Sequence, residues 1–312
     1  MRASCAAGGG VALGHAMKAD AAPALPPCLP FAELAPRYDV LLCDVWGVLH
    51  NGAQGRPDAA DALERARAAG ATVILVSNAP RPPDGVAKIL DGFGIPRSAY
   101  DAIVTSGMVT AALLAQRPGV KMWHLGPDRD LGIYDGLDLA LTDLKSAELI
   151  VCTGLFDDTV ETPEDYRDTL KAAQARDLPF ICANPDIVVE RGGELIWCAG
   201  AIAEAYQALG GSAVYCGKPH LPIYETAFAT ARALRGSDTP RERFLAIGDA
   251  LRTDLAGALG AGIDCLFVAA GIHAGELGLE ETGTLDPHAL ARLLEDGPGR
   301  PVAVTTRLAW GA

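Results

Sequence analysis

At 312 residues the chain is long enough for two domains, and with 50% apolar and 21% charged residues it has the balance of a globular protein. Its 39 acidic residues outweigh 26 Lys and Arg, a formal charge of −13, and no local basic cluster offsets that excess, which argues against a nucleic-acid surface. A small anionic substrate stays open, because one bound cation can reverse the local field. No stretch has the length or purity of a membrane span. The 8 cysteines are scattered without a CxxC pair, so the expectation is a reduced, cytoplasmic protein with thiols in its core.

Residues 1–30, rich in Ala, Gly and Pro, do not fit a packed element and read as a loose leader. Val40 to Cys43 has the length and apolar character of a buried strand and ends on Asp44, after which Gly47 and Asn51-Gly52 break regular structure. A helix from Pro57 to Ala69 follows, stopped by Gly70, then a strand from Ala71 to Val76 ending on Ser77-Asn78. A short helix from Val86 to Phe93, a strand from Ala102 to Thr105 and a helix from Met108 to Gln116 complete three strand–helix units. Such units imply right-handed crossovers and a parallel sheet.

Arg117-Pro118-Gly119 marks a break. From Lys121 to about Leu209 a second alternating set appears, closed by Gly210-Gly211-Ser212. The first pattern then resumes with a strand at Ala213 to Cys216, a helix from Leu221 to Arg235 and a strand from Phe244 to Ile247. A helix from Thr253 to Ala261, a strand from Cys265 to Ala269 and a last helix near Asp286 to Leu294 follow. The expected fold is α/β, a Rossmann-like parallel-sheet core with an inserted α/β cap domain. The core spans 31–117 and 212–312, and the cap 118–211, a normal size for such a unit.

Polar residues fall where these strands end, which is where ligands bind in open parallel sheets. Asp44 ends the first, Ser77-Asn78 the second, Gly217-Lys218-Pro219 another, and Gly248-Asp249-Ala250-Leu251-Arg252-Thr253-Asp254 the last. Each has an ordinary reading: Ser77-Asn78 as a turn and cap, Lys218 as a surface lysine, Asp254 as support for the next helix. Together, two carboxylates, a hydroxyl and a lysine are what phosphoryl transfer to an aspartate requires. The carboxylates suit Mg²⁺, one of them can attack phosphorus, and Ser77 and Lys218 can stabilise the transferring group.

The segments DVWGVLHNG, VSNAPR, GKPH and GDALRTD resemble, in order, the four motifs of the haloacid dehalogenase-like hydrolase superfamily. Their spacing is similar to that of the class IIA, NagD-like phosphatases, whose cap lies between the second and third motifs. Thr105-Ser106-Gly107 and Asn184-Pro185-Asp186 resemble that subclass too, and the similarity covers about residues 38–295. The resemblance implies Asp44 as nucleophile and metal ligand, Ser77 as phosphate-binding hydroxyl with Asn78 beside it, and Lys218 as the charge-stabilising lysine. It implies Asp249 as second metal carboxylate, Asp254 as its support, and the backbone carbonyl of Trp46 as a further Mg²⁺ ligand.

One departure stands out. The family's phosphatases usually carry a second Asp two residues after the nucleophile, as general acid and base, and this chain has Trp46 there. An indole N–H cannot deliver and retrieve a proton. The leading expectation is therefore a Mg²⁺-dependent phosphatase acting on a small phosphorylated metabolite, a sugar or nucleotide phosphate, with low or altered turnover. The alternatives are a catalytically weak phosphometabolite-binding or regulatory protein on the same scaffold, and a non-phosphatase reaction at the same nucleophile. His50 is the closest titratable candidate in sequence to take over the acid and base role, though packing is its more ordinary one. Arg191, Glu194 and Trp197 are candidate substrate contacts from the cap, Trp197 equally a core residue, and His220 reads as a helix start. No nucleic-acid or membrane partner is expected, and a homodimer is expected by analogy with the subclass.

Overall fold

The apolar runs form parallel strands because a helix after most of them carries the chain back to the same edge. The computed structural model describes residues 25–191, 194–279 and 283–311; residues 1–24 of the expected leader lie outside them. From α1 (Phe31–Leu34) the chain runs through β1 (Val40–Cys43), α2 (Pro57–Ala68), β2 (Thr72–Ser77), α3 (Pro83–Gly92), β3 (Ala102–Thr105) and α4 (Ser106–Leu114). It then enters β4 (Val120–Leu125), β5 (Leu139–Leu141), β6 (Leu149–Cys152), α5 (Arg167–Gln174) and β7 (Phe180–Cys182). The hairpin of β8 (Val188–Arg191) and β9 (Glu194–Trp197) follows, then α6 (Ala199–Ala208) and β10 (Ala213–Tyr215). It returns through α7 (Leu221–Arg235), β11 (Phe244–Gly248), α8 (Ala256–Ala261), β12 (Asp264–Val268), α9 (Pro287–Glu295) and β13 (Ala303–Thr305).

The core sheet has the order β13-β12-β11-β1-β2-β3, and every pair in it is parallel. Both faces are covered, so its strands read as unbroken apolar runs. Leu41, Cys43, Val73, Leu75, Leu245 and Ile247 pack on one side with α2 and α3. Val40, Leu42, Ile74, Phe244, Ala246 and Phe267 pack on the other with α7, α8 and α9. Each fully buried Val or Leu here contributes about 1.5–3 kcal/mol through area removed from water, and this fixes the register that sets the strand ends level.

The chain steps from β1 outward through β2 and β3, and later from β11 outward the other way through β12 and β13. The switch point of the sheet is therefore the β1/β11 seam, where Cys43 pairs with Ile247. The crevice beyond that seam is where this topology places a ligand. The residues that follow the two strands there are Asp44 and Asp249.

A second, five-stranded parallel sheet has the order β10-β7-β6-β4-β5 and its own buried clusters. Helices α5 and α6 cover one face with Leu170, Ile202 and Tyr206, while Leu114 of α4 packs against the other. This corrects one expectation: Ala213–Tyr215 does not reopen the core sheet but pairs with β7, Val214 opposite Ile181. Its residues are half-buried or exposed, as suits an edge strand; Cys216 still packs with this second sheet, and Lys218 reaches Asp44 of the core. Three further features escaped the sequence. The segment 184–200 contains the β8/β9 hairpin, the tail supplies β13, and Cys28 of the expected leader forms a bridge with Val304.

Candidate active site

The floor of the crevice is built from three carboxylates and one ammonium. Asp44, Asp249 and Asp254 are all buried and offer oxygen atoms within 4.8 Å of one another. Asp44 Oδ1 accepts from the Val45 amide at 2.7 Å and lies 2.6 Å from Lys218 Nζ. Lys218 Nζ also donates to Asp254 Oδ1 at 2.7 Å, and Asp254 Oδ2 accepts from the Ala250 amide. Asp249 Oδ2 accepts from the Ile272 amide at 2.7 Å. Close packing holds these groups: a Cβ on Gly47 (φ +82°) would stand 2.1 Å from Asp249 Oδ2, and one on Gly248 would stand 2.0 Å from Asp254 Cγ. The glycines of the first and last motifs are thus spaces for carboxylates.

Charge does not balance here. Burial and the Asp254 carboxylate push the Asp44 carboxyl far above the usual range, and Lys218 only partly opposes this. Burial and Asp254 likewise raise Asp249, to about 7. Burial alone would lower the Lys218 ammonium, but Asp254 and Asp44 reverse that and hold it well above its ordinary value. One ammonium against three carboxylates leaves negative charge without a counter-ion. A cluster of oxygen donors with surplus charge fits a hard divalent cation, which accepts one or two carboxylates plus water and phosphate oxygens.

Asn78 was expected to touch phosphate, but its amide is already taken up. Its Oδ1 accepts from the Lys218 amide at 2.7 Å, while Nδ2 donates to the Lys218 carbonyl at 3.1 Å and to Asp186 Oδ1 at 2.9 Å. It positions the lysine and ties in the cap segment 184–186. Ser106 Oγ in turn donates to the Asn78 carbonyl at 2.8 Å, and Gly107 lets α4 approach Arg81, whose backbone a Cβ there would meet at 2.5 Å. The Thr105-Ser106-Gly107 segment therefore acts as a brace for the loop after β2. Ser77, buried beside Asp44, has a hydroxyl that accepts from the Ala79 amide at 3.2 Å.

Trp46 faces the cap. Its Nε1 donates to the carbonyl of Glu190 on β8 at 2.8 Å, and its ring lies over Gly52, where a Cβ would come within 2.6 Å. Behind it, His50 stacks on Phe93 and its Nδ1 accepts from the Gly52 amide at 3.1 Å. Burial, with the Arg56 charge adding, lowers this imidazole to about 4, so it is a neutral packing ring rather than a proton relay. Two cavities share Asp44, Trp46, Asp186 and Val189. One of about 220 Å³ includes Ser77, Lys218 and the cap residues Arg129, Thr153, Asp158 and Arg191. The other, of about 390 Å³, includes Asp249, Arg56, Glu190 and His273. Trp197 lines the smaller cavity and is not core, and Glu194 is exposed outside both. His220 sits at the start of α7, stacked on Tyr215.

Comparison with known proteins agrees with this geometry. A family model described as haloacid dehalogenase-like hydrolase matches residues 41–140, and a second, described as HAD-hydrolase-like, matches residues 215–296. The chain is 48% identical to a haloacid dehalogenase-like hydrolase of Brucella suis 1330, whose crystal structure superposes with a TM-score of 0.80 over 91% of this chain and 100% of that one. It is 26% identical over 239 residues to the ribonucleotide monophosphatase NagD of Escherichia coli K12, covering 74% of this chain and 88% of NagD. It is also 26% identical over 239 residues to the 5'-nucleotidase YutF of Bacillus subtilis, covering 75% of this chain and 88% of YutF.

Proposed function

Because the chain belongs to the haloacid dehalogenase-like hydrolase family, in its NagD-like class, we propose that it is a Mg²⁺-dependent phosphatase of a small phosphorylated metabolite, working through an aspartyl-phosphate on Asp44. The observation that carries this reading is the convergence of Asp44, Ser77, Lys218 and Asp249 from four separate strand ends or loops on the β1/β11 crevice. Of the two substrate classes expected, sugar or nucleotide phosphate, relatives named as nucleotide phosphatases support the second.

In this mechanism Asp44 attacks phosphorus while Lys218 Nζ and the Ser77 hydroxyl stabilise charge on the transferring oxygens. Asp44, Asp249 and the Trp46 carbonyl would hold Mg²⁺, and Asp254 supports them by fixing Lys218. Bound there, the cation would offset the surplus carboxylate charge and polarise the phosphoryl oxygens. Asn78 keeps the lysine backbone in place. Trp46 contributes no proton, so the leaving oxygen departs without help from that position. The absence of that carboxyl favours, as the second reading, a protein that binds phosphometabolites with little turnover.

The test is a phosphate-release screen over sugar and nucleotide phosphates with Mg²⁺, run beside Asp44→Asn. Release by the wild type that the variant lacks supports the phosphatase. Saturable binding of the same compounds with no release supports the binding protein.

A further inference from the structure

The floor of the smaller cavity is acidic, but its cap wall carries a local excess of positive charge. Lys218 is matched by Asp44 and Asp254. Arg81 pairs one-to-one with buried Asp130 at 3.1 Å. On the cap wall the count differs. Arg129 Nη2 donates to Asp158 Oδ2 at 2.6 Å, and Arg191 Nη1 and Nη2 donate to Asp158 Oδ1 and Oδ2 at 3.2 and 3.0 Å. One carboxylate therefore holds two guanidiniums side by side, leaving one unit of positive charge at the cavity.

Two observations support a ligand for this excess. Arg129 and Arg191 are 48% and 40% exposed, and the N–H donors not used on Asp158 have no acceptor among the described residues, which leaves them open to solvent or to a ligand in the cavity. Arg191 is also steered to its place, since its stem lies against Gly52 of the loop that carries Trp46, where a Cβ would stand 3.5 Å from its Cγ. Asp186, on the same cavity, is engaged on the core side, where Asn78 Nδ2 donates to its Oδ1 at 2.9 Å.

We infer that Arg129 and Arg191 receive a second anionic group on the substrate, so that the preferred phosphomonoester carries a carboxylate or a second phosphate at its far end. The same cavity is also lined by the apolar Val45, Leu155, Val189 and Ile196, which suit a short carbon chain. Its volume is about 220 Å³. The inference rests on the phosphatase reading for the placement of the phosphoryl end.

The experiment compares propyl phosphate with its analogues ending in a carboxylate and in a second phosphate. Binding is measured by calorimetry and turnover by phosphate release, both with Mg²⁺. The wild type is expected to bind at least one anionic-tailed compound about tenfold or more tightly than propyl phosphate, as charge-assisted hydrogen bonds to guanidinium allow. In Arg129→Gln and Arg191→Gln that preference should shrink severalfold. Each single variant leaves Asp158 one guanidinium partner, and Arg97→Gln, an exposed change elsewhere, should preserve the preference. The carboxylate and phosphate arms show which tail the subsite takes. Equal binding of all three compounds, or a preference untouched by both variants, overturns the inference. A preserved preference with no turnover of any compound overturns the phosphatase reading alone.

Discussion

The indole Nε1 of Trp46 lies 2.8 Å from the carbonyl oxygen of Glu190, joining the loop after the first core strand to a cap hairpin 144 residues further along the chain. The position that gives up a carboxyl thus gains a contact between core and cap. Trp46→Phe keeps the ring and removes only the donor. The expected cost is about 0.5–1.5 kcal/mol for one hydrogen bond, seen as faster amide exchange in 188–197 than in the wild type. Unchanged exchange there would show that the bond does not hold the hairpin.

The missing carboxyl has a kinetic signature. Without a group to protonate the leaving oxygen, esters of acidic alcohols such as p-nitrophenol should be hydrolysed much faster than alkyl phosphates. Trp46→Asp should raise phosphate release from an alkyl ester, toward the about 10²–10⁴ that a general acid contributes, with a smaller gain on p-nitrophenyl phosphate. Equal gains on both esters, or a slower variant on both, would mean that Trp46 shapes the pocket instead.

Asn78 anchors three bonds, two to the backbone of Lys218 and one to Asp186. Asn78→Ala leaves the buried Lys218 amide and carbonyl without that partner, and each such loss costs about 1–3 kcal/mol. Urea denaturation should show a loss of at least about 2 kcal/mol, together with a fall in kcat as the lysine loses its alignment. A stable variant with a raised KM alone would instead make Asn78 a direct substrate contact.

His50 sets a pH dependence of stability. Its folded value is lowered by burial to about 4 against an unfolded 6.5, so the unfolded chain binds more protons between these limits. Stability from this group is full above about 6.5 and is lost as pH falls toward 4, by on the order of 3 kcal/mol in total. His50→Asn should flatten that part of the stability–pH curve measured by denaturant titration. A curve with the same slope in wild type and variant would contradict the assignment.

Much of this site was legible in the sequence because the motifs sit at ends of unbroken apolar strands, and a parallel sheet forces those ends together. Asp44, Ser77, Lys218, Asp249 and Asp254 were singled out in that way, and the structure places them around one crevice. The role of Asn78 was not, since an amide beside a phosphate-site hydroxyl reads equally as a ligand contact or a brace, and only the Lys218 backbone decides. The β8/β9 hairpin was hidden for a different reason. Its residues are half exposed over a cleft, so VVER and ELIW lack the apolar alternation that marks a strand on a core. The Ala213–Tyr215 strand was assigned to the wrong sheet because a short edge strand carries no record of its partner.

The central claim is that Asp44 takes the phosphoryl group and that, with Trp46 in place of a base, its release is slow. Acid quenching of the wild type after mixing with a phosphomonoester and Mg²⁺, followed by mass spectrometry of the peptide containing Asp44, measures this directly. The account predicts a phosphorylated Asp44 that accumulates in the wild type, is absent from Asp44→Asn, and decays faster in Trp46→Asp. Phosphate release by the wild type that persists undiminished in Asp44→Asn would contradict it.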